Sequence, residues 1–192
     1  MPNVGHKIGI KMYDDAPPSP RPFPRVPLER RSYAYLMDFI AVWLLSSFAT
    51  GWLQGLIFLG AWFGLRVILV ETNQGQSLGS WAFDMKVIDL RSRRIPGIFE
   101  LTKREGVLGG TSLLAMVGLN INFLNAISML LLIAPLLMNG GLALSDEMYN
   151  QAFHDRVAGT VIIRSKRGFS LDLRLKRWWY EAKTKWQEKQ RR

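Results

Sequence analysis

The chain contains no cysteine, which excludes a disulfide framework and a thiolate metal site. Histidine is nearly as scarce: two residues, far apart, in a chain of 192, too few for a His-rich metal centre. No apolar run follows Met1, so no secretory signal peptide is read there. Catalytic motifs are missing too, with no nucleophile elbow, zinc motif or phosphate-cradling loop. Gly75-Gln76-Ser77-Leu78-Gly79 lacks both the spacing and the lysine of a P-loop. His154, Asp155 and Arg156 are adjacent, but neighbours on a helix or strand point in different directions and form no relay. The expectation is a protein that is not an enzyme, with no cofactor and no metal.

What the chain has in excess is apolar length. Hydrophobic residues make up 48%, with seven Trp, in a chain that is also 21% charged. That mixture suits a membrane protein with charged flanks better than a single soluble core. Residues 30–70 are nearly unbroken apolar sequence, roughly twice what one crossing needs. Small residues in the middle (Ser46, Ser47, Ala49, Thr50, Gly51) predict two helices joined by a tight turn. A second block, residues 107–144, is punctuated by Asn120 and Asn122 and reads as another hairpin. The expected fold is an all-α membrane protein: a four-transmembrane-helix bundle with spans at about 31–49, 52–71, 103–119 and 122–144. Gly51-xxx-Gly55, Gly60-xxx-Gly64 and Gly106-xxx-Gly110 predict close helix contacts, since small residues let backbones approach where lipid offers no hydrophobic drive.

Charge sets the expected orientation. Residues 1–31 carry six Lys/Arg against three acids, residues 71–106 six against five, and residues 154–192 twelve against four. All three flanks are net basic, and all can be cytoplasmic only if each apolar block crosses twice. Both termini are therefore expected inside. A basic balance can also mean nucleic acid, but charges that flank apolar spans follow the positive-inside pattern, and no nucleic-acid partner is expected.

Two charges sit inside the first block, Asp38 and Arg66. Counted from a turn near Thr50, they lie 12 residues back and 16 residues on, depths about 6 Å apart at helical rise. A lone charge in hydrocarbon is expensive, so an Asp38–Arg66 ion pair is expected across the hairpin, and reversing both charges is expected to preserve the fold. Between the blocks, residues 85–90 suggest a short strand ending at the turn Arg94-Ile95-Pro96-Gly97. Thr160-Val161-Ile162-Ile163 reads as a second strand able to pair with it, and residues 145–153 as a short helix with Ser145 as N-cap.

The ends carry the recognition elements. Residues 1–26 form a proline-rich cytoplasmic arm, read either as a disordered tail or as an extended polyproline segment lying along a partner. Residues 165–192 form a basic, Trp-rich amphipathic C-terminal helix. Leu171, Leu175, Trp178, Ala182 and Trp186 fall on one face. Trp178, Trp179, Trp186, Arg174, Lys176 and Arg177 are the candidate contacts to a bilayer with anionic headgroups or to an acidic partner.

Three segments, RRSYAYLMDFI, GQSLGSWAFDMKVID and AFHDRVAGTVII, together resemble the RDD family of small bacterial multi-pass membrane proteins. The resemblance covers about residues 27–164, the expected membrane domain. Arg31 and Asp38 resemble the family's Arg and first Asp, and Asp155 resembles the second Asp. Gly75 and Gly79 are similar to the family's glycine-bracketed loop, and Arg104 to the Arg that opens the next span. Ser80 departs from the Lys that relatives often carry after the second glycine. The first span also resembles that of RDD proteins of oxygenic photosynthetic bacteria.

The signature charge network is thus expected to comprise Arg31, Asp38, Arg66, Arg104, His154, Asp155 and Arg156, locking helix register. The expected role is an accessory or assembly subunit of a larger membrane complex, with a photosystem among the first partners to test. The alternative is a cation/proton exchanger or small-solute transporter working as a self-oligomer, since the resemblance implies sodium/proton exchange in some members. The membrane would be the cell inner membrane or an internal, thylakoid-type one.

Overall fold

The computed structural model describes residues 23, 26–120, 126–146, 149–165, 171, 174, 177, 179–181 and 183. Pro27 precedes the first helix, α1 (Leu28–Ser46), where a fixed φ suits helix entry. The hydroxyls of Ser46 and Ser47 donate to the carbonyls of Trp43 (2.9 Å) and Leu44 (2.7 Å) as the helix ends, bonding that competes with helix continuation. The chain reverses through Gly51, whose φ is +63°, into α2 (Gly51–Thr72). Part of α2, Gly64–Ile68, is a π-turn. Then come α3 (Leu78–Ala82), β1 (Met85–Asp89), α4 (Ile98–Asn120), α5 (Ala126–Gly141) with a 3-10 extension at Leu142–Leu144, α6 (Phe153–Ala158) and β2 (Thr160–Arg164).

The protein is mostly helical. Gly51–Thr72 and Ala126–Leu144 are long and apolar enough to cross a membrane. α1 and α4 pack with them and carry four of the paired charges, Arg31, Asp38, Arg104 and Glu105. An aromatic core joins α1, α2 and α4 through Phe39, Phe58, Trp62, Leu108 and Met116. Phe58 stacks on Trp62 at 5.7 Å and meets Phe39 edge-on at 5.9 Å, favourable geometries for aromatic quadrupoles. Gly118 of α4 brings that helix against Leu132 of α5, where an added methyl would lie 3.0 Å from the Leu132 Cβ.

β1 and β2 pair antiparallel, with Val87 opposite Ile162 and Asp89 opposite Thr160, so the loop between the two apolar blocks is tied to the residues after the last one. This is the strand pairing the sequence predicts. The turn after β1 closes earlier than expected. Asp89 Oδ1 accepts from the backbone N–H of Arg91 (3.0 Å) and Ser92 (2.6 Å), and Arg93 takes a positive φ of 56°.

Three local expectations are corrected. The described residues among 145–153 are not helical before Phe153, where α6 begins. Ser145 closes the 3-10 turn by donating to the Leu142 carbonyl, while the Asp146 carboxylate gathers the N–H groups of Tyr149 and Gln151 and holds the segment in a loop. Helix α4 begins at Ile98, five residues ahead of the span expected from about 103. Among the described residues the GxxxG pairs make no close helix contacts: a methyl placed at Gly51, Gly60, Gly64, Gly106 or Gly110 meets nothing within 4 Å, and at Gly55 the tip of Leu113 at 3.7 Å.

The expected turn residue Asn122, the proline-rich arm apart from Phe23 and Val26, and Lys176, Trp178 and Trp186 lie outside the described residues. Within the C-terminal segment, Leu171, Arg174, Arg177, Trp179, Tyr180, Glu181 and Lys183 are helical and exposed.

Candidate functional site: a buried ladder of alternating charge

Two glycines build the entrance. After α2 the chain turns at Gly75, which takes a φ of +83° and lies so close to β1 that a methyl there would sit 2.6 Å from the Val87 carbonyl oxygen. Gly79, in the first turn of α3, presses against α1, where a methyl would sit 2.0 Å from the Ala34 carbonyl oxygen. No side chain fits at either point. That approach lets α3 hand its unsatisfied N-terminal N–H groups to α1, since the first N–H groups of any helix lack an internal partner. Asp38 Oδ1 accepts from Gly79 N at 2.7 Å, and Oδ2 accepts from the Ser77 hydroxyl at 2.7 Å.

From Asp38 the charges alternate. Arg66 Nη1 lies 2.6 Å from Asp38 Oδ2, the ion pair anticipated from matched depths. The same guanidinium turns its Nε to Glu105 Oε2 at 2.8 Å and Nη2 to Glu105 Oε1 at 3.3 Å. Arg66 sits in the middle of the π-turn of α2. Such a turn re-aims side chains relative to a regular helix and recurs at functional sites. Glu105 also accepts from Trp62 Nε1 at 3.2 Å. The indole fits because position 109 is glycine: a methyl there would come 2.8 Å from Trp62 Cδ1.

Arg104 extends the chain of charges. It bonds Glu105 through Nη1 and Asp155 Oδ1 through Nε at 2.8 Å. Arg31 closes the end, bonding the other Asp155 oxygen and the Asn150 carbonyl. The order is Asp38, Arg66, Glu105, Arg104, Asp155, Arg31: three carboxylates and three guanidinium groups, net neutral. All three carboxyl side chains have 0% exposure. Ion pairs this deep persist when each charge is matched and hydrogen-bonded.

His154 stands beside the ladder. Asn139 Oδ1 accepts from its backbone N–H at 3.1 Å and its Nδ1 at 2.8 Å, which assigns the ring proton to Nδ1. Nε2 is then an acceptor, 3.5 Å from Arg104 Nη2. Burial pushes the His154 pKa down, against the pull of Asp155 and with the help of Arg104, to about 4. The imidazole is therefore neutral at physiological pH. At Asp155 burial acts upward, but His154, Arg104 and Arg31 outweigh it and hold the carboxyl well below the usual range.

Of the residues read from sequence, Arg31, Asp38, Arg66, Arg104 and Asp155 join one network, with His154 against it. Arg156 does not. One residue past Asp155 on α6 it faces outward and only approaches Asp146, at 3.8 Å. The residues missed are Glu105, Ser77 and Asn139. Among the described residues no group of three or more His, Asp or Glu side chains is placed to hold a metal ion.

The family model for RDD, described as the RDD family, matches residues 25–159. That span holds every member of the ladder and ends one residue before β2. No curated protein and no solved structure matches the chain.

Proposed function

The chain belongs to the RDD family, and from that premise we propose that it is a non-catalytic, four-span membrane protein acting as an accessory or assembly subunit of a larger membrane complex. The observation that carries this reading is the closed ladder. Exchange of a cation or proton needs a carboxylate that can release one partner and take another. Here Asp38, Glu105 and Asp155 are each held by at least one guanidinium and by further donors. A network so completely matched suits fixing the register of α1, α2, α4 and α6.

Four spans are supported by exposed aromatic residues at both ends. Phe48 and Trp52 at the first turn are 90% and 79% exposed, and Tyr33, Trp81 and Phe99 are exposed at the opposite end. Aromatic belts of this kind mark the two membrane interfaces. The basic flanks support a cytoplasmic side for both termini under the positive-inside rule, and the membrane proposed is the cell inner membrane or an internal one.

A complex is supported by the outward apolar surface, since only 11% of the apolar window in Ala126–Leu144 is buried within the chain. The test is a gentle-detergent pull-down of C-terminally tagged protein with mass spectrometry and native-gel sizing. Stoichiometric recovery with one large membrane complex is expected, and recovery as a self-oligomer alone would overturn the proposal. In that case flux measurements on reconstituted wild type and Asp38→Asn decide whether the alternative, an oligomeric cation/proton exchanger, holds.

A further inference from the structure

Beside the ladder lies a half-open cavity of about 360 Å³ between α1, α5 and the loop elements. Its wall is chemically one-sided. Arg31, Arg66 and Arg104 all contribute to the lining, with His154 beside them, while Asp38, Glu105 and Asp155 do not. Among the described residues no carboxylate reaches the cavity. The acids stand behind the guanidinium groups, so the neutral ladder presents its cationic side inward. Each guanidinium carries five N–H donors. Within the described residues, the ladder bonds occupy three of those on Arg66 and two on Arg31, leaving donors to aim at an anion.

The remaining wall is apolar. Leu108 and Leu136 line the inside, and Leu137 and Leu144 stand at the rim, 64% and 74% exposed on the outward flank of α5 and its 3-10 extension. The volume is at the small end of ligand pockets, which run roughly 300–1,000 Å³. It suits a headgroup with its first methylenes, and longer chains must leave across the α5 rim.

From this complementarity we infer that the cavity is a binding site for an anionic membrane lipid, its phosphate on the Arg31–Arg66–Arg104 wall and its acyl chains running out over Leu137 and Leu144. The inference rests on the membrane-spanning reading but not on membership of a complex. The pull-down above and the lipid test can therefore fail separately.

Gly140 and Gly141 also line the cavity, and a methyl at either meets nothing within 4 Å. Gly140→Leu and Gly141→Leu therefore add bulk at two lining positions that are not members of the ladder. The full chain is purified in detergent and stripped of lipid. Thermal melting is then followed with phosphatidylglycerol, with phosphatidylcholine and with inorganic phosphate. Phosphatidylglycerol is expected to raise the wild-type midpoint by several degrees, with the other two ineffective. Either leucine variant should melt as wild type does without lipid and lose the shift. Should one variant fail to fold, the other carries the comparison, and the headgroup comparison needs only wild type. Equal shifts with phosphatidylcholine would overturn headgroup recognition, and an equal shift with phosphate would make the site one for free anions. A shift that survives in the leucine variants would move the lipid elsewhere on the surface.

Discussion

Glu105 is the joint of the ladder, and removing its charge tests the structural reading most directly. Its two oxygens accept from Arg66 Nε and Nη2, from Arg104 Nη1 and from Trp62 Nε1. Glu105→Gln keeps the shape but replaces one acceptor with a donor and leaves three buried cations facing two carboxylates. Breaking a buried pair by removing one partner costs about 3–5 kcal/mol, because the partner stays buried and uncompensated. For a chain of this size each kcal/mol is worth roughly 2–4 °C, so the melting midpoint in detergent should fall by about 6–20 °C. The double variant Glu105→Gln/Arg104→Gln restores neutrality, leaves Asp38–Arg66 and Asp155–Arg31 as complete pairs, and should recover part of the loss, with a coupling of about 0.5–3 kcal/mol. Both are read by thermal melting and size-exclusion profile. A Glu105→Gln protein that melts within about 2 °C of wild type would refute the ladder as a structural lock.

Gly79→Ala drives a methyl to within 2.0 Å of the Ala34 carbonyl oxygen, backbone against backbone, and should cost more than the roughly 1–3 kcal/mol of ordinary overpacking. Gly60→Ala has open space and should melt as wild type does; equal behaviour of the two would contradict the α1–α3 contact. The charge swap Asp38→Arg/Arg66→Asp should fail to give a monodisperse protein, despite the sequence expectation that reversal preserves the fold. It sets a carboxylate against Glu105 and a cation against the Gly79 N–H, and a swapped protein that stays monodisperse and melts like wild type counts against that geometry. For pH, the His154 pKa is depressed in the folded state to about 4 from 6.5, so its contribution is complete above 6.5 and lost as pH falls from 6.5 to 4. At about 1.36 kcal/mol per unit this comes to about 3 kcal/mol. Melting midpoints should drop across that window in wild type and change less in His154→Gln, with parallel curves speaking against a buried neutral imidazole.

The pairing of Asp38 with Arg66 was legible because depth in a helical hairpin is a count of residues from the turn. The pairing of β1 with β2 was legible from short β-prone runs bounded by turn residues. Glu105 was not, and the reason is where α4 starts. With the apolar block read from residue 107, Glu105 reads as one more solvated charge in the polar loop before it. The helix in fact begins at Ile98, so Glu105 stands in its third turn and faces the core. Asn139 carried a readable signal, a polar side chain inside an apolar helix, whose partner in α6 could not be read without the fold. The GxxxG spacings misled because a spacing puts glycines on one face without saying which way that face turns. Gly109 and Gly118, outside those pairs, make the close approaches instead.

The ladder also bears on how the ends of the chain are held. Asp155 bonds Arg104 and Arg31, and four residues later Gly159 (φ +66°) turns the chain into β2. β2 is paired along its length with β1, and β1 is held against Gly75 through the Val87 N–H at 2.8 Å. The start of the C-terminal segment is therefore fixed on both sides of the single residue Gly159 that joins α6 to β2, by buried charge on one and strand pairing on the other. Arg31 lies only four residues inside Pro27, so the end of the proline-rich arm emerges beside the same carboxylate. Val26, at the start of the family match, and Ile162 of β2, just past its end, thus pack at one corner with Ala34 and Met85. That agrees with the proposed role, in which the membrane core would position its two terminal segments for a partner, whereas a conduction path would have to break the pairs that fix this corner.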